Sequence, residues 1–571
     1  MLFLGILGLL QCWFLPGLAV LGFSKLLETK DKIILSPLIS LIINYIIVSI
    51  LVIFKQFSFN NLILVIITEI LIIIILYRKK INFEQIKFLN IQKKINYKVN
   101  FHFFEISIYA FLILFTFLAI NTIGEVVHLG DPVMMWNEWS KEIYSNKIPK
   151  SGDYPLAYPI LGAITYLILD TYEIEFFARI VCIIYPLWMF VVYFRLKNLL
   201  PNHFLHLFFT FLFSLLLIFY IFRHYALYIG YVDPILIYIT FSLGYYFILI
   251  HNKKIDFYDL FLLSLVIATP AVTKQTGIFL TAIVPLILFF FFIREKKEIL
   301  FSFYIKLIFL TFLFSAIWYI YKIYGYYIEF NDSSNVSGLI SQVQGSIFVK
   351  LKRGLNYSFG AFYLIVLFLF LFSIKNFYSR IILFFVVIPY FLIWSLLFGN
   401  DNRNLAIAIP AISYVLSIGL IELYDLIKNK INSKYIIYLG SLFLILVFFF
   451  AVNFVNNKRD RDYLLDKNIK KQMLRGNNLE TNILIYENLK KNINIKIYTD
   501  DYNFTFLPNV EQRIILILCS KLETQLSNSL FLYSKNPRGL CNDLTSEILS
   551  SNKNSYQIIF DNINHTLYKF N

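Results

Sequence analysis

The sequence has few charged residues for its length. Charged side chains make up 15% of the 571 residues, whereas soluble domains carry about 25%. Hydrophobic residues make up 59% and aromatic residues 19%, and the mean hydropathy is +0.69. This composition excludes a soluble globular protein and indicates an all-α protein that crosses a membrane many times.

The sequence also lacks the marks of a cleaved leader and of repeated halves. The first apolar run has no basic residues before it and no small-residue cleavage site, so we expect a retained helix. No internal repeat is found, although a transporter built from two related halves would show one.

Apolar windows of about 17 to 23 residues, each long enough to cross about 30 Å of hydrocarbon, predict about fourteen membrane-spanning helices. They cover residues 2–23, 33–54, 61–77, 103–120, 176–195, 203–222, 227–250, 257–272, 277–293, 301–321, 358–373, 380–398, 404–424 and 435–454.

Basic residues predict the orientation. The loop 78–100 contains seven Lys and Arg residues, which places it in the cytoplasm. Later basic clusters share that side only if residues 155–169 do not span, so we expect this segment to form a short helix that lies on or dips into the outer face. The net charge of +16 then reflects topology and contact with membrane lipids, not nucleic-acid binding.

We predict three parts: N-terminal accessory helices in 1–102, a core in 103–454 with its first outer loop at 121–175, and an extracytoplasmic domain in 455–571. The last part is polar and contains the strand-like runs NILIYE, IKIYT, RIILIL and YQIIF, which favour a small α/β or α+β domain. Cys519 and Cys541 are its only cysteines and are candidates for a disulfide. Cys12 and Cys182 fall in spans and are expected to be small buried hydrophobic residues.

Ionisable and aromatic residues from distant parts of the chain fall at the outer ends of the predicted spans. Asp131 and Asp233 are the hardest to explain by packing, because an acid in a membrane bundle is costly. Basic groups can hold a phosphate, an aspartate can accept a proton, and tryptophans can stack on a sugar or belong to the interfacial belt. Besides these acids, the predicted outer cavity contains Trp136, Trp139, Asp153, Tyr154, Arg223, His224, Lys274, Gln275 and Arg403.

Several motifs resemble one family in their order along the chain. An acid after an outgoing helix, a W-x-x-W segment, YPLAYPIL and the span ARIVCIIYPLWMFVVYFRL resemble the first outer loop and second core helix of the GT-C membrane glycosyltransferases. The similarity is greatest to the bacterial branch related to protein mannosyltransferases and the aminoarabinose transferase. GYVDP, TKQTG and an R-x-L-x-x-x-x-P motif at Arg403 follow in the family's order, and the resemblance covers residues 103–454.

The resemblance implies a GT-C-like core, a polyprenyl-phosphate sugar donor and inverting transfer with Asp131 as the catalytic base. It also implies that Lys274, Arg403 and Arg223 contact the donor phosphate. TKQTG has no acid where some relatives have one, and Pro132 stands where a second acid usually follows; the cofactor is therefore either none or a divalent metal. The acceptor is a lipid, a glycan or a protein, and the protein is expected in the cytoplasmic (inner) membrane.

Two other functions remain open from the sequence. A transporter or flippase for a lipid-linked saccharide would also need cationic and aromatic residues in its cavity. An O-antigen ligase or polymerase would place key basic residues in a late outer loop, and the loop 324–357 ends with Lys350, Lys352 and Arg353.

Overall fold

The computed structural model describes most of the membrane region and the strands of the C-terminal part. The described residues are 1–78, 106, 108–116, 132–149, 154–172, 174–222, 231–251, 253, 255–294, 301–329, 345–398, 402–427, 479–491, 496–499, 514–516, 530–535, 556–562 and 565–570.

Helices dominate the described part of the chain before residue 428. The α-helices are Leu2–Trp13, Leu15–Leu21, Thr29–Ile53, Phe59–Tyr77, Glu138–Tyr144, Ala157–Leu169, Phe176–Ile180, Ile184–Leu199, Phe204–Phe222, Asp233–Ile250, Phe257–Thr273, Gly277–Arg294, Phe301–Glu329, Ile347–Phe359, Tyr363–Ser373, Phe377–Ile382, Ile388–Ile393 and Ile409–Ile427. Three 3₁₀ helices join them, at Pro201–His203, Gly360–Phe362 and Asn402–Ala408. Three π-helical segments lie at Pro132–Asn137, Leu383–Val387 and Trp394–Phe398.

Nine of these helical stretches are long and apolar enough to cross a membrane, counted over the described residues. They coincide with nine of the fourteen predicted spans. Three further predicted spans contain shorter apolar helices or one half of a bent helix pair. Residues 103–120 are described only in part, and residues 435–454 lie outside the described residues, so the total of fourteen stays a prediction.

The helix Ala157–Leu169 is present where a short helix was predicted, but all thirteen of its residues are buried. A helix lying on a membrane surface would leave one face outside the protein. At 1.5 Å per residue this helix is about 20 Å long, too short to cross the hydrocarbon. It is therefore an internal half-length helix that does not lie on the membrane surface; that it dips into the outer face stays a prediction.

The N-terminal helices are tied to the rest of the bundle through one buried acid. Asp31 is 2% exposed, and its Oδ1 accepts hydrogen bonds from Arg195 Nε at 2.7 Å and from Tyr245 Oη at 2.6 Å. Trp188 donates its indole N–H to the Ile34 carbonyl at 2.9 Å. These contacts join three helices at one end of the bundle.

Helices Ile347–Phe359 and Tyr363–Ser373 meet at 91°. Gly360 lies between them with φ +56°, and a Cβ there would be 2.8 Å from Tyr220 Oη. The left-handed backbone and this close approach both favour glycine at the corner.

The C-terminal part contains the helix Leu479–Lys491 and a five-stranded mixed sheet. The strands are β1 Ile497–Thr499, β2 Ile514–Leu516, β3 Leu530–Ser534, β4 Tyr556–Asp561 and β5 His565–Phe570. Their order is β2-β1-β3-β5-β4. The β1–β2 and β1–β3 pairs are parallel, whereas β3–β5 and β4–β5 are antiparallel.

One of the four strand predictions in this part is wrong. NILIYE lies inside the helix Leu479–Lys491, because its buried residues recur every four positions at Thr481, Ile485 and Leu489. That face packs against Ile497 and the neighbouring strands. The other three runs overlap β1, β2 and β4, which confirms a small domain that combines a helix and a sheet.

Candidate active site

The break between helices Phe257–Thr273 and Gly277–Arg294 positions Lys274. Lys274 has extended dihedral angles, φ −153° and ψ 149°, and the Gly277 N–H donates to its carbonyl at 2.8 Å. A Cβ at Gly277 would be 1.9 Å from the Pro270 carbonyl oxygen, so this close turn requires glycine. Pro270 lies inside the first helix, and the break falls at Lys274.

Lys274 reaches an acid on another helix. Asp233 is the first residue of helix Asp233–Ile250 and is 1% exposed. The distance from Lys274 Nζ to Asp233 Oδ1 is 2.6 Å, and the side chains are 6% and 2% exposed. The positive end of the helix dipole also favours a carboxylate at this position. We call these two residues the buried pair.

A third segment completes the cluster. Lys274 Nζ also donates to Asn404 Oδ1 at 2.8 Å, and Asn404 lies in the 3₁₀ helix Asn402–Ala408. Tyr390 Oη donates to the Asn404 carbonyl at 2.5 Å. Asn404 is thus fixed through both its backbone and its side chain.

Arg403 directly precedes Asn404 along the chain. Its guanidinium carbon is 4.5 Å from the centre of the Tyr231 ring, which is a cation–π contact. Lys274 and Arg403 are both cations, and such groups bind anionic ligands through strong hydrogen bonds.

Donor and acceptor atoms remain at this cluster. A lysine has three N–H donors, and Lys274 makes two hydrogen bonds within the described part of the chain. Two buried oxygens nearby, Gln275 Oε1 and Asn402 Oδ1, have no hydrogen-bond partner there. Because buried polar atoms are normally paired, these atoms are suited to bind a polar ligand.

The two tryptophans of the first outer loop form a buried aromatic cluster. Trp136 and Trp139 are 4% and 8% exposed, and their ring centres are 5.1 Å apart. Tyr154 lies 5.4 Å from Trp136 and 5.9 Å from Trp139. Their burial does not fit an interfacial belt; that they line the substrate cavity stays a prediction.

A second polar cluster includes residues next to these tryptophans along the chain and was not predicted from the sequence. Asn137 Nδ2 donates to Glu175 Oε1 at 2.9 Å, and Lys141 Nζ is 3.3 Å from the same oxygen. Tyr166 on the internal helix donates its hydroxyl to Asn137. Arg179, four residues after Glu175 along the chain, is 1% exposed. The only sequence signal was the presence of polar residues in a mostly apolar chain, since the pairing partners are up to 38 residues apart.

Several predicted site residues lie outside the described residues. These are Asp131, Asp153, Arg223 and His224 in the cavity, and Cys519 and Cys541 in the tail. Cys12 and Cys182 are both free and buried, as expected. Over the described part of the chain, no three His, Cys, Asp or Glu side chains come together as metal ligands would.

This architecture defines a multi-pass membrane protein with a GT-C-like helical core and a small C-terminal sheet domain. Two solved structures of the aminoarabinose transferase ArnT from Cupriavidus metallidurans are similar to it. The structure bound to undecaprenyl phosphate has a TM-score of 0.50 and 11% identity, over 81% of this chain and 97% of that one. The apo structure has a TM-score of 0.49 and 12% identity, over 81% and 98%.

No family model matches the sequence, and no curated protein matches it. At 11% identity, the likeness to ArnT establishes the fold. The fold class predicted from the sequence is therefore confirmed.

Proposed function

We propose that this protein transfers a sugar from a polyprenyl-phosphate donor to a lipid, glycan or protein acceptor at the outer face of the cytoplasmic membrane. The observation that carries the proposal is the buried pair with Asn404 and Arg403, inside a fold similar to that of ArnT bound to undecaprenyl phosphate. Buried charges in a membrane protein are costly and mark functional sites.

Lys274 and Arg403 bind the donor phosphate in this proposal, with Arg223 as a third contact. Asp233 and Asn404 hold the Lys274 ammonium group in place, which leaves its third N–H for a phosphate oxygen. Hydrogen bonds between cations and phosphate oxygens are strong, and they stabilise the charge that grows on the phosphate as the sugar leaves.

Asp131 acts as the general base. The acceptor oxygen or nitrogen forms a bond to the anomeric carbon from the side opposite the phosphate, and its proton passes to the Asp131 carboxylate. The bond from the anomeric carbon to the phosphate oxygen breaks, and the polyprenyl phosphate leaves. Displacement from the opposite side inverts the configuration at the anomeric carbon.

The remaining predicted residues shape the cavity. Trp136, Trp139 and Tyr154 form one wall, and Asp153 and His224 are further substrate contacts in this proposal. Gln275 contributes a buried Oε1 with no partner among the described residues, which can accept a hydrogen bond from a sugar hydroxyl.

The catalytic assignment is tested by Asp131→Asn in membranes supplied with a radiolabelled polyprenyl-phosphate sugar. We expect sugar transfer to fall to background, because an amide cannot accept the proton. Asp170→Asn is the matched control: Asp170 is exposed in the same loop, and its φ of 54° is tolerated by Asn. Full transfer by Asp131→Asn would refute the assignment, whereas Asp170→Asn should keep wild-type activity.

The assay also separates an enzyme from a flippase, because a flippase would move the labelled lipid without forming a glycosylated product. The predicted orientation, with the first outer loop and residues 455–571 outside the cytoplasm, is tested by labelling single cysteines in intact cells. Labelling of the tail only after the cells are opened would contradict that orientation.

A further inference from the structure

The helix Ile347–Phe359, which we call the interface helix, packs one face on the bundle and carries three cations. Gly354, Ser358 and Phe359 are buried. A Cβ at Gly354 would be 2.3 Å from Ser395 Oγ, so this face packs closely on the bundle.

The cations are Lys350, Lys352 and Arg353. Lys352 lies on the side opposite Gly354, whereas Lys350, one turn before Gly354, lies at the edge of the packed face. Lys352 is exposed and the other two are half-buried. None of the three forms an ion pair with an acid of the described chain. Three cations within four positions therefore have no protein counter-charge there.

The first turn of the interface helix is apolar and exposed. Ile347, Phe348 and Val349 are 64%, 85% and 48% exposed. The helix meets Tyr363–Ser373 at 91°. The two helices therefore cannot run across the membrane as one straight span, and the basic interface helix is the half suited to the headgroup layer.

We propose that the interface helix lies in the headgroup layer and that Lys350, Lys352 and Arg353 bind the phosphates of anionic phospholipids. Helices with a basic face and exposed Phe or Leu adopt this position. The predicted orientation puts these cations on the outer side, where Lys and Arg are usually scarce. Charge complementarity with anionic lipid explains why they occur there.

The interface helix also contacts the segment that holds the candidate active site. Asn402 Nδ2 donates to the Tyr357 carbonyl at 3.2 Å. Two residues later, Asn404 accepts the hydrogen bond from Lys274. Lipid binding at the interface helix thereby supports the position of Asn404. The lipid site does not depend on the proposed transfer reaction, since lipid binding is measured without it.

The test uses the full-length protein in nanodiscs of phosphatidylcholine with increasing phosphatidylglycerol, and native mass spectrometry counts the lipids that stay bound. One variant replaces Lys350, Lys352 and Arg353 with Gln. Its matched control keeps the charge as Lys350→Arg, Lys352→Arg and Arg353→Lys. Each basic residue near an anionic surface contributes about fivefold in lipid binding. We expect the Gln variant to lose at least that much of the preference for phosphatidylglycerol, and the control to keep it.

Equal phosphatidylglycerol retention by the wild type and the Gln variant would overturn the proposal. Complete displacement of phosphatidylglycerol by an equal amount of undecaprenyl phosphate would also overturn it, because the helix would then be a site for the donor lipid. If the triple variant does not fold, the single change Lys352→Gln at the most exposed position gives the same test, with an expected loss of about fivefold.

Discussion

Neutralising Lys274 should destabilise the protein strongly, because it leaves the Asp233 carboxylate buried without its cation. The Asp233 side chain is 2% exposed, and its partner is 2.6 Å away. Removing one member of a buried ion pair costs about 3–5 kcal/mol. We therefore expect Lys274→Met to lower the free energy of unfolding by about that amount.

An ion pair of the same length in the C-terminal domain supplies a matched control. The distance from Lys535 Nζ to Asp561 Oδ1 is also 2.6 Å, but these side chains are 35% and 54% exposed. Exposed ion pairs contribute about 0–1 kcal/mol. Lys535→Met should therefore have little effect, and the difference between the two variants isolates burial from distance.

A double variant separates charge from packing. Asp233→Asn with Lys274→Met removes both charges and should recover most of the lost stability. A residual loss of about 1–3 kcal/mol is expected, because Asn404 loses its hydrogen-bond donor. The double variant should still lack sugar transfer, since the phosphate contact is gone.

The free energy of unfolding is measured by denaturation in mixed detergent micelles, followed by tryptophan fluorescence. The reasoning is refuted if Lys274→Met is no more destabilising than Lys535→Met. It is also refuted if the double variant is as unstable as the single one, because the loss would then come from packing.

Three further predictions use matched positions. Gly277→Ala should lower the free energy of unfolding by about 1–3 kcal/mol through overpacking, measured by the same unfolding assay. The control Gly244→Ala has nothing within 4 Å of the added Cβ and should be neutral or stabilising by up to about 1 kcal/mol. Equal effects of the two changes would contradict the close turn at Gly277. Arg403→Ala should raise the KM for the donor and leave that for the acceptor unchanged, while Arg294→Ala, which removes a similar cation–π contact at 5.3 Å, should change neither. Asn404→Leu should raise the donor KM about tenfold, as expected for loss of one hydrogen bond to a charged group, and an unchanged KM would exclude its role in holding Lys274.

Much of the membrane fold was predictable because length and hydrophobicity suffice to identify a span. Nine predicted spans coincide with long apolar helices among the described residues. The enclosure of Ala157–Leu169 by other helices was not predictable, because hydropathy does not distinguish a helix facing lipid from one buried inside the protein. The strand prediction for NILIYE failed for a related reason. Its β-branched residues favour a strand locally, but burial of every fourth residue stabilises a helix.

The candidate site was predictable in its residues but not in its contacts. The cost of a buried acid singled out Asp233, and the resemblance to the GT-C family singled out Lys274. Which groups would neutralise them depends on contacts between residues 41 and 130 positions apart, and no local pattern encodes these. Asn404 illustrates the limit, because an amide adds nothing to hydropathy or net charge. Its role follows from the structure, in which Lys274 Nζ lies within hydrogen-bond distance of both Asp233 and Asn404. The tight turn at Gly277 sets the backbone position of Lys274, and the proposed chemistry depends on that geometry.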